Sequence, residues 1–199
     1  DARRSGDCVT AAFMIVCDDA LGCNGNKAIR DVVLSTQFPW FFHHDVVNLT
    51  EQLDDVTLHA FRHTVWMNNQ LQSGFAPMFE PLIKKMMELT SGELVALPKV
   101  IVNLTMNHGV QNGNMAHCDG MMNLEVDGLK RYTGVYYLNE SDGDTLIYAD
   151  DGTTVIDSVS PKVDRLLVFP SAVLHSRQLP LNHTVRAVVN LNTLVRHAV

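Results

Sequence analysis

Val100-Ile101-Val102-Asn103-Leu104-Thr105-Met106-Asn107 alternates one wholly apolar set (Val100, Val102, Leu104, Met106) with a second set that turns polar (Ile101, Asn103, Thr105, Asn107). A period of two identifies a strand with one apolar face. This period begins at about residue 94 and dominates the rest of the chain. Further strands are expected at Tyr132–Asn139, Thr145–Tyr148, Thr153–Val159, Arg165–Phe169, Val173–His175 and Val185–Leu194. Turn-rich pieces such as Ser141-Asp142-Gly143-Asp144 and Asp150-Asp151-Gly152 separate them. Many short strands at this spacing predict an antiparallel sandwich or barrel.

Towards the N-terminus the pattern is mixed. Residues 12–16 read as a strand, and Asn26 to Thr36 as a helix stopped before Phe38-Pro39. Phe75, Phe79, Leu82, Met86 and Leu89 step by four, three, four and three, one apolar face of a helix, read as core packing. Seven of the eight Phe and both Trp precede residue 80, whereas all four Tyr lie within 132–148. The fold class is therefore mostly β with flanking α-helices: a jelly-roll-like β unit with N-terminal helices packed on one sheet. With 199 residues and no repeat or linker, one domain is expected. Residues 1–97 form its helix and strand support, and 98–194 its β core.

Composition narrows the function without naming it. A hydrophobic fraction of 46% with 19% charged residues describes a globular chain, and a net charge of −7 argues against a general nucleic-acid binder. No stretch reaches the roughly 18 apolar residues of a membrane helix. The four cysteines form no CxxC pair and, read as reduced thiols, suit the cytoplasm. Nine histidines are an excess, and their positions matter more than their number.

Two HxD triplets occur. His43-His44-Asp45 follows the aromatic run Phe38-Pro39-Trp40-Phe41-Phe42 and has no second ligand at a useful distance, so His43 is read as a surface or packing residue. The run itself is a candidate contact surface. In the second triplet, His117-Cys118-Asp119, an extended backbone sends His117 and Asp119 to the same side. A third ligand, His175, ends a strand candidate. Two His and one carboxylate leave the remaining octahedral positions of a divalent ion open, the arrangement of non-haem Fe(II) oxygenases. Zinc accepts the same donors, but neither HExxH nor a Cys pair supports it. Arg186, eleven residues beyond His175, offers a fork for a carboxylate. Tyr136, on a strand face with Tyr132, Gly134 and Leu138, offers a further hydroxyl.

These residues resemble the 2-oxoglutarate- and Fe(II)-dependent dioxygenases, particularly the prolyl-4-hydroxylase-like branch with many phage and marine microbial members. The resemblance spans about residues 98–194. It is carried by His117-Cys118-Asp119, Tyr136-Tyr137-Leu138-Asn139, Asp142-Gly143-Asp144-Thr145-Leu146, Arg165-Leu166-Leu167-Val168-Phe169-Pro170, His175, Pro180 and Arg186. It implies a double-stranded β-helix with His117, Asp119 and His175 as iron ligands. Arg186, with Tyr136, would take the distal carboxylate of 2-oxoglutarate, and Leu146 would line that pocket. The implied reaction uses Fe(II), 2-oxoglutarate and O2, with ascorbate as a stimulant, and hydroxylates a C–H bond, a prolyl residue of a peptide or protein being the family-level substrate. Small-molecule substrates stay open. So do two other classes: a non-catalytic β-helix binding module, and a cupin-like metal enzyme without 2-oxoglutarate.

The chain departs from the family in three places. The usual glycine pair after the Tyr-Tyr-Leu-Asn strand is Gly143-Asp144. The strand before HxD offers Thr105, Met106 and Asn107 where many prolyl hydroxylases have a Tyr. Leu181 stands where a nucleic-acid demethylase of the superfamily has a second Arg, which together with the negative charge makes nucleic acid an unlikely partner.

Overall fold

In the computed structural model, which describes residues 8–11, 14–43, 60–111, 115–120 and 128–197, the alternating stretch is the end of a longer strand. The elements in chain order are β1 (Cys8–Ala11), β2 (Met14–Cys17), α1 (Gly22–Val33), β3 (Phe41–His43), β4 (Ala60–Met67) and β5 (Gln70–Leu71). A 3-10 turn (Ala76–Phe79) then leads into α2 (Glu80–Thr90) and β6 (Glu93–Met106). Next come β7 (Leu129–Tyr137), β8 (Thr145–Tyr148), β9 (Val155–Val159), β10 (Arg165–Pro170), β11 (His175–Arg177) and β12 (Val185–Arg196). Among the described residues, the large sheet runs β1-β2-β10-β7-β12-β6-β4-β3 with β5 beside β4, and a small sheet runs β11-β8-β9. The pairings in both are antiparallel. This is the expected mostly-β jelly roll.

Strand alternation gives the large sheet two different faces. One carries Val100, Val102, Tyr136, Leu166, Val168, Val189 and Leu191, which pack with Ile29 and Val33 of α1 and Leu82 and Met86 of α2. The other carries Val135, Tyr137, Leu167, Phe169 and Val188, which meet Ile147 and Val159 of the small sheet. Gly134 lies where α2 presses closest: a Cβ there would stand 3.0 Å from Met86 Sδ. Fully buried side chains such as Leu82, Met86 and Phe79 hold the helix layer to the sheet, each contributing about 1.5–3 kcal/mol by burial.

The helices shift relative to the sequence reading. α1 begins at Gly22 rather than Asn26 and ends at Val33 rather than Thr36. Its start is secured from outside, by Leu21 N–H donating to Asp164 Oδ1 at 3.0 Å. The second expected helix is divided at Phe79. Pro81 lacks the N–H that would bond the Pro77 carbonyl, and Glu80 N–H reaches that carbonyl instead, closing a 3-10 turn before the α-helix begins. Ser91, in the left-handed conformation with φ 51°, terminates α2. Of the strand expected over 12–16, residues 12 and 13 lie outside the described residues, and 14–17 form β2. The strand expected to end at His175 begins there and runs to Arg177. No helix among the described residues is long and apolar enough to cross a membrane.

Candidate metal centre and anion pocket

The space between the sheets is a cavity of about 340 Å³, lined by Lys99, Ile101 and Asn103 of β6, Arg186, Val188 and Asn190 of β12, Val135 of β7, and Arg62 and Met67 of β4. His117, Asp119, Thr145, His175, Ser176 and Arg177 complete the wall. The register explains the selection. Arg186 stands opposite Thr105, Val188 opposite Asn103, Asn190 opposite Ile101 and Asn192 opposite Lys99, so every second residue of β6 and β12 looks inward.

His117, Asp119 and His175 converge so that one donor atom from each lies within 4.8 Å of the others. Backbone hydrogen bonds produce this convergence. His117 N–H donates to His175 O at 3.0 Å and His175 N–H returns to His117 O at 2.9 Å, while Asp119 N–H donates to Ser171 O at 3.1 Å. The two imidazoles stand 4.6 Å apart between centroids. Each ring turns its Nδ1 to a backbone carbonyl, Val173 O at 3.0 Å for His175 and Met115 O at 3.3 Å for His117. A ring whose Nδ1–H donates to a carbonyl presents its Nε2 lone pair to the shared space, the usual orientation of a metal-binding histidine.

The protonation states suit a cation as well. Burial alone would raise the Asp119 carboxyl, but Lys99 and His175 outweigh it and hold the group well below the usual carboxylate range. Lys99 Nζ donates to Asp119 Oδ1 at 3.0 Å, and Thr133 Oγ1 donates to Oδ2 at 3.1 Å. Burial pushes the His175 imidazole below its ordinary value, with Asp119 opposing and His117 adding to the effect. An ionised carboxylate beside a neutral imidazole is a donor pair that gives up no proton on binding a metal. Two imidazoles and a carboxylate could hold Fe(II) or a similar divalent ion.

Arg186 joins this site from the opposite end. Its side chain is buried, its Nε donates to Gly143 O at 2.7 Å and its Nη2 to Thr145 Oγ1 at 2.9 Å. The guanidinium lies 5.5 Å from the centroid of the Tyr137 ring, and the Tyr137 hydroxyl shares a 2.6 Å hydrogen bond with Thr145. Burial lowers the Arg186 pKa, with Tyr137 opposing.

Two expectations are corrected. Tyr136 does not face this cavity: it lies on the helix side of β7, donating to Asp164 Oδ1 at 2.8 Å and accepting from Asn26 Nδ2 at 2.8 Å. It fastens α1 to the start of β10, and its neighbour Tyr137 takes the inward place because successive residues of a strand point oppositely. Leu146 is likewise on the outer face of β8, half-buried, and Thr145 is the residue that lines the cavity. His43 closes β3 and is not among the lining residues, and the Asp45 of its triplet lies outside the described residues. Cys118 is a half-buried free thiol.

The cavity also holds two arginines that sequence reasoning missed. Arg177 is two residues beyond His175 and shares its face of β11. Alternation would have revealed it had the strand been extended past His175. Arg62 had no signal, because β4 was not recognised as a strand. Burial pushes Arg177 down to about 9, helped by Arg186 and Arg62, so it stays a cation at neutral pH.

Comparison with known proteins agrees with this geometry. A family model described as the 2OG-Fe(II) oxygenase superfamily matches residues 102–199. Among solved structures, the chain is similar to a prolyl hydroxylase from Trichoplax adhaerens in complex with a hypoxia inducible factor oxygen degradation domain peptide fragment, at 18% identity and TM-score 0.62, over 92% of this chain and 84% of that one. It is similar to an oxidoreductase of the 2OG-Fe(II) oxygenase family from Burkholderia pseudomallei, at 14% identity and TM-score 0.63, over 93% and 85%. A third is HygX from Streptomyces hygroscopicus with nickel and 2-oxoglutarate bound, at 11% identity and TM-score 0.60, over 91% and 82%. These likenesses are of fold. No curated protein matches in sequence. With its HxD…H cluster and buried arginine on a jelly roll, the chain belongs to the 2OG-Fe(II) oxygenase superfamily.

Proposed function

We propose that the chain is a 2-oxoglutarate- and Fe(II)-dependent hydroxylase, with His117, Asp119 and His175 as the iron ligands and Arg186 as the anchor of the 2-oxoglutarate distal carboxylate. The observation that carries this reading is the presence of an ionised carboxylate, two imidazoles with presented Nε2 atoms and a buried guanidinium in one cavity of about 340 Å³. When bound, the iron supplies the dioxygen chemistry that couples decarboxylation of 2-oxoglutarate to succinate with oxidation of a substrate C–H bond.

The chain's own residues bind, orient and exclude water. Lys99 and Thr133 hold the Asp119 carboxylate in position from both oxygens. Gly143 O and Thr145 Oγ1 fix two edges of the Arg186 guanidinium, and a preset fork holds a carboxylate with little loss of side-chain entropy. Ile101, Val135 and Val188 supply the apolar wall. Residues 98–194 form the catalytic core in this reading, and residues 1–97 support it within one domain. The four cysteines form no CxxC pair, which supports a reducing, cytoplasmic setting. A prolyl residue in a peptide is the substrate to test first, on the analogy of the prolyl hydroxylase holding a peptide.

The test is succinate release from 2-oxoglutarate with Fe(II) and ascorbate, with and without a panel of proline-containing peptides. Wild type should turn over, and His175→Ala should lose both turnover and bound iron. Wild type that retains stoichiometric iron yet releases no succinate under any of these conditions refutes the catalytic reading. Stoichiometric iron in His175→Ala refutes the ligand assignment.

A further inference from the structure

The charges in the cavity do not balance. Lys99 is matched by Asp119 at 3.0 Å, and Arg186 has an assigned role with the cosubstrate. Fe(II) and Arg186 together would bring three positive charges against the two negative charges of 2-oxoglutarate, so no anion is available for any further cation. Arg62 and Arg177 are left over. They enter from opposite walls, Arg62 from β4 of the large sheet and Arg177 from β11 of the small one, and both line the same space. Arg62 has a neutral partner, its Nε donating to Asn103 Oδ1 at 3.2 Å. Arg177 has less: its Nε and Nη2 are shut away from solvent and have no hydrogen-bond partner among the described residues. Asn190 Oδ1, in the same wall, is also buried without a partner. A half-buried guanidinium with two nitrogens closed off from water and unpaired is costly unless a ligand completes it.

We propose that Arg62 and Arg177 form a second anion subsite, separate from the 2-oxoglutarate anchor, and that the prime substrate carries an oxyanion, a carboxylate or a phosphate, which docks there beside the reacting C–H bond. This rests on the assignment of Arg186 to 2-oxoglutarate. A guanidinium fork suits both oxyanions, and two forks from facing walls select for the group and fix its position. The substrate is then an acidic metabolite or a peptide with an acidic or phosphorylated side chain near the oxidised residue.

The experiment uses full-length protein loaded with Ni(II), which does not turn over, and saturating 2-oxoglutarate. N-acetyl-L-glutamate and inorganic phosphate are titrated in by calorimetry, with N-acetyl-L-glutamine as the neutral control. At least one anion should bind and the neutral control should not. Arg62→Met and Arg177→Met should each weaken that binding at least tenfold and change 2-oxoglutarate affinity less than threefold. Arg177→Met should also raise Tm, because it removes two buried, unpartnered guanidinium nitrogens, whereas a merely structural arginine would lower it on removal. If Arg177→Met does not fold, Arg62→Met and the charge-retaining Arg177→Lys carry the test, the first losing anion binding and the second keeping part of it. The proposal is overturned if neither anion binds wild type, if the variants bind it unchanged, or if Arg177→Met weakens 2-oxoglutarate as much as Arg186→Met does. Failure of loaded wild type to bind 2-oxoglutarate at all instead refutes the reading on which the subsite rests. Comparing a glutamate-flanked peptide with free N-acetyl-L-glutamate then separates the two sources.

Discussion

Replacing Gly143 by Ala would place a methyl group 2.7 Å from Gln178 O, 3.0 Å from Arg186 Cδ and 3.1 Å from Pro180 N. Two of these neighbours are backbone atoms, which cannot rotate aside, and the third is the middle of the Arg186 side chain. Relief therefore requires the 141–144 turn to retreat. The Gly143 carbonyl retreats with it and loses the 2.7 Å bond from Arg186 Nε. Overpacking of this kind costs about 1–3 kcal/mol, which lowers Tm by roughly 2–12 °C for a chain of this size. A hydrogen bond to a charged group is worth about 1.5–3 kcal/mol, and each 1.4 kcal/mol is about tenfold in affinity. Gly143→Ala should thus weaken 2-oxoglutarate binding by roughly 10- to 100-fold while metal content stays at one per chain. Calorimetric titration of 2-oxoglutarate into the metal-loaded variant, with a thermal melt alongside, checks both numbers. A variant that melts early but binds 2-oxoglutarate like wild type would show that the clash is real and that Arg186 is not the anchor. One with an unchanged melt would refute the packing argument itself.

Tyr136→Phe should cost about 1–3 kcal/mol of stability through its lost bonds to Asn26 and Asp164, and should leave 2-oxoglutarate affinity within twofold of wild type. A large rise in the 2-oxoglutarate requirement would return this tyrosine to the cosubstrate pocket. Asp18 is held at about 2, against an ordinary 3.8, chiefly by its hydrogen bonds to Arg165, helped by Lys162. A depressed folded-state pKa gives stability that is complete above the unfolded value and disappears as pH falls through the folded one. After allowance for solvent screening, Asp18→Asn should cost about 1 kcal/mol at pH 7, and urea melts should show the gap closing between pH 4 and 2. A gap that is constant across that interval removes the ion pair from the stability account.

The strands of the β core were readable because their alternation is strong and their ends are marked by turn residues. Thr145–Tyr148 has the expected bounds, and the strands starting at Arg165 and Val185 begin as expected. Alternation put His117 and Asp119 on one side, whereas bringing His175 and Arg186 to them rested on their order along the chain and on the family resemblance, and the four do line one cavity. The assignment of Tyr136 went wrong for a physical reason: Thr133 to Tyr137 are buried on both faces, so no polar side marks which way each residue points. β8 misleads differently. Its inward face carries Thr145, which meets Arg186, beside Ile147 of the apolar cluster, and the half-exposed residue is Leu146. The N-terminal half was harder still, because Arg62 acquires meaning only once β4 is paired with β6, and that pairing joins segments far apart in sequence.

The reciprocal backbone bond pair between His117 and His175 also bears on the time course of folding. Each histidine belongs to a different part of the chain, and neither can reach the other until β7, β8 and β10 have formed and the small sheet has folded over the large one. Closing so long a loop is slow compared with making a hairpin. The cluster of His117, Asp119 and His175 is accordingly among the last things the chain completes. In a refolding experiment followed by Co(II) absorption, the ligand-field bands should emerge with the slowest phase, after most of the β circular dichroism has already returned.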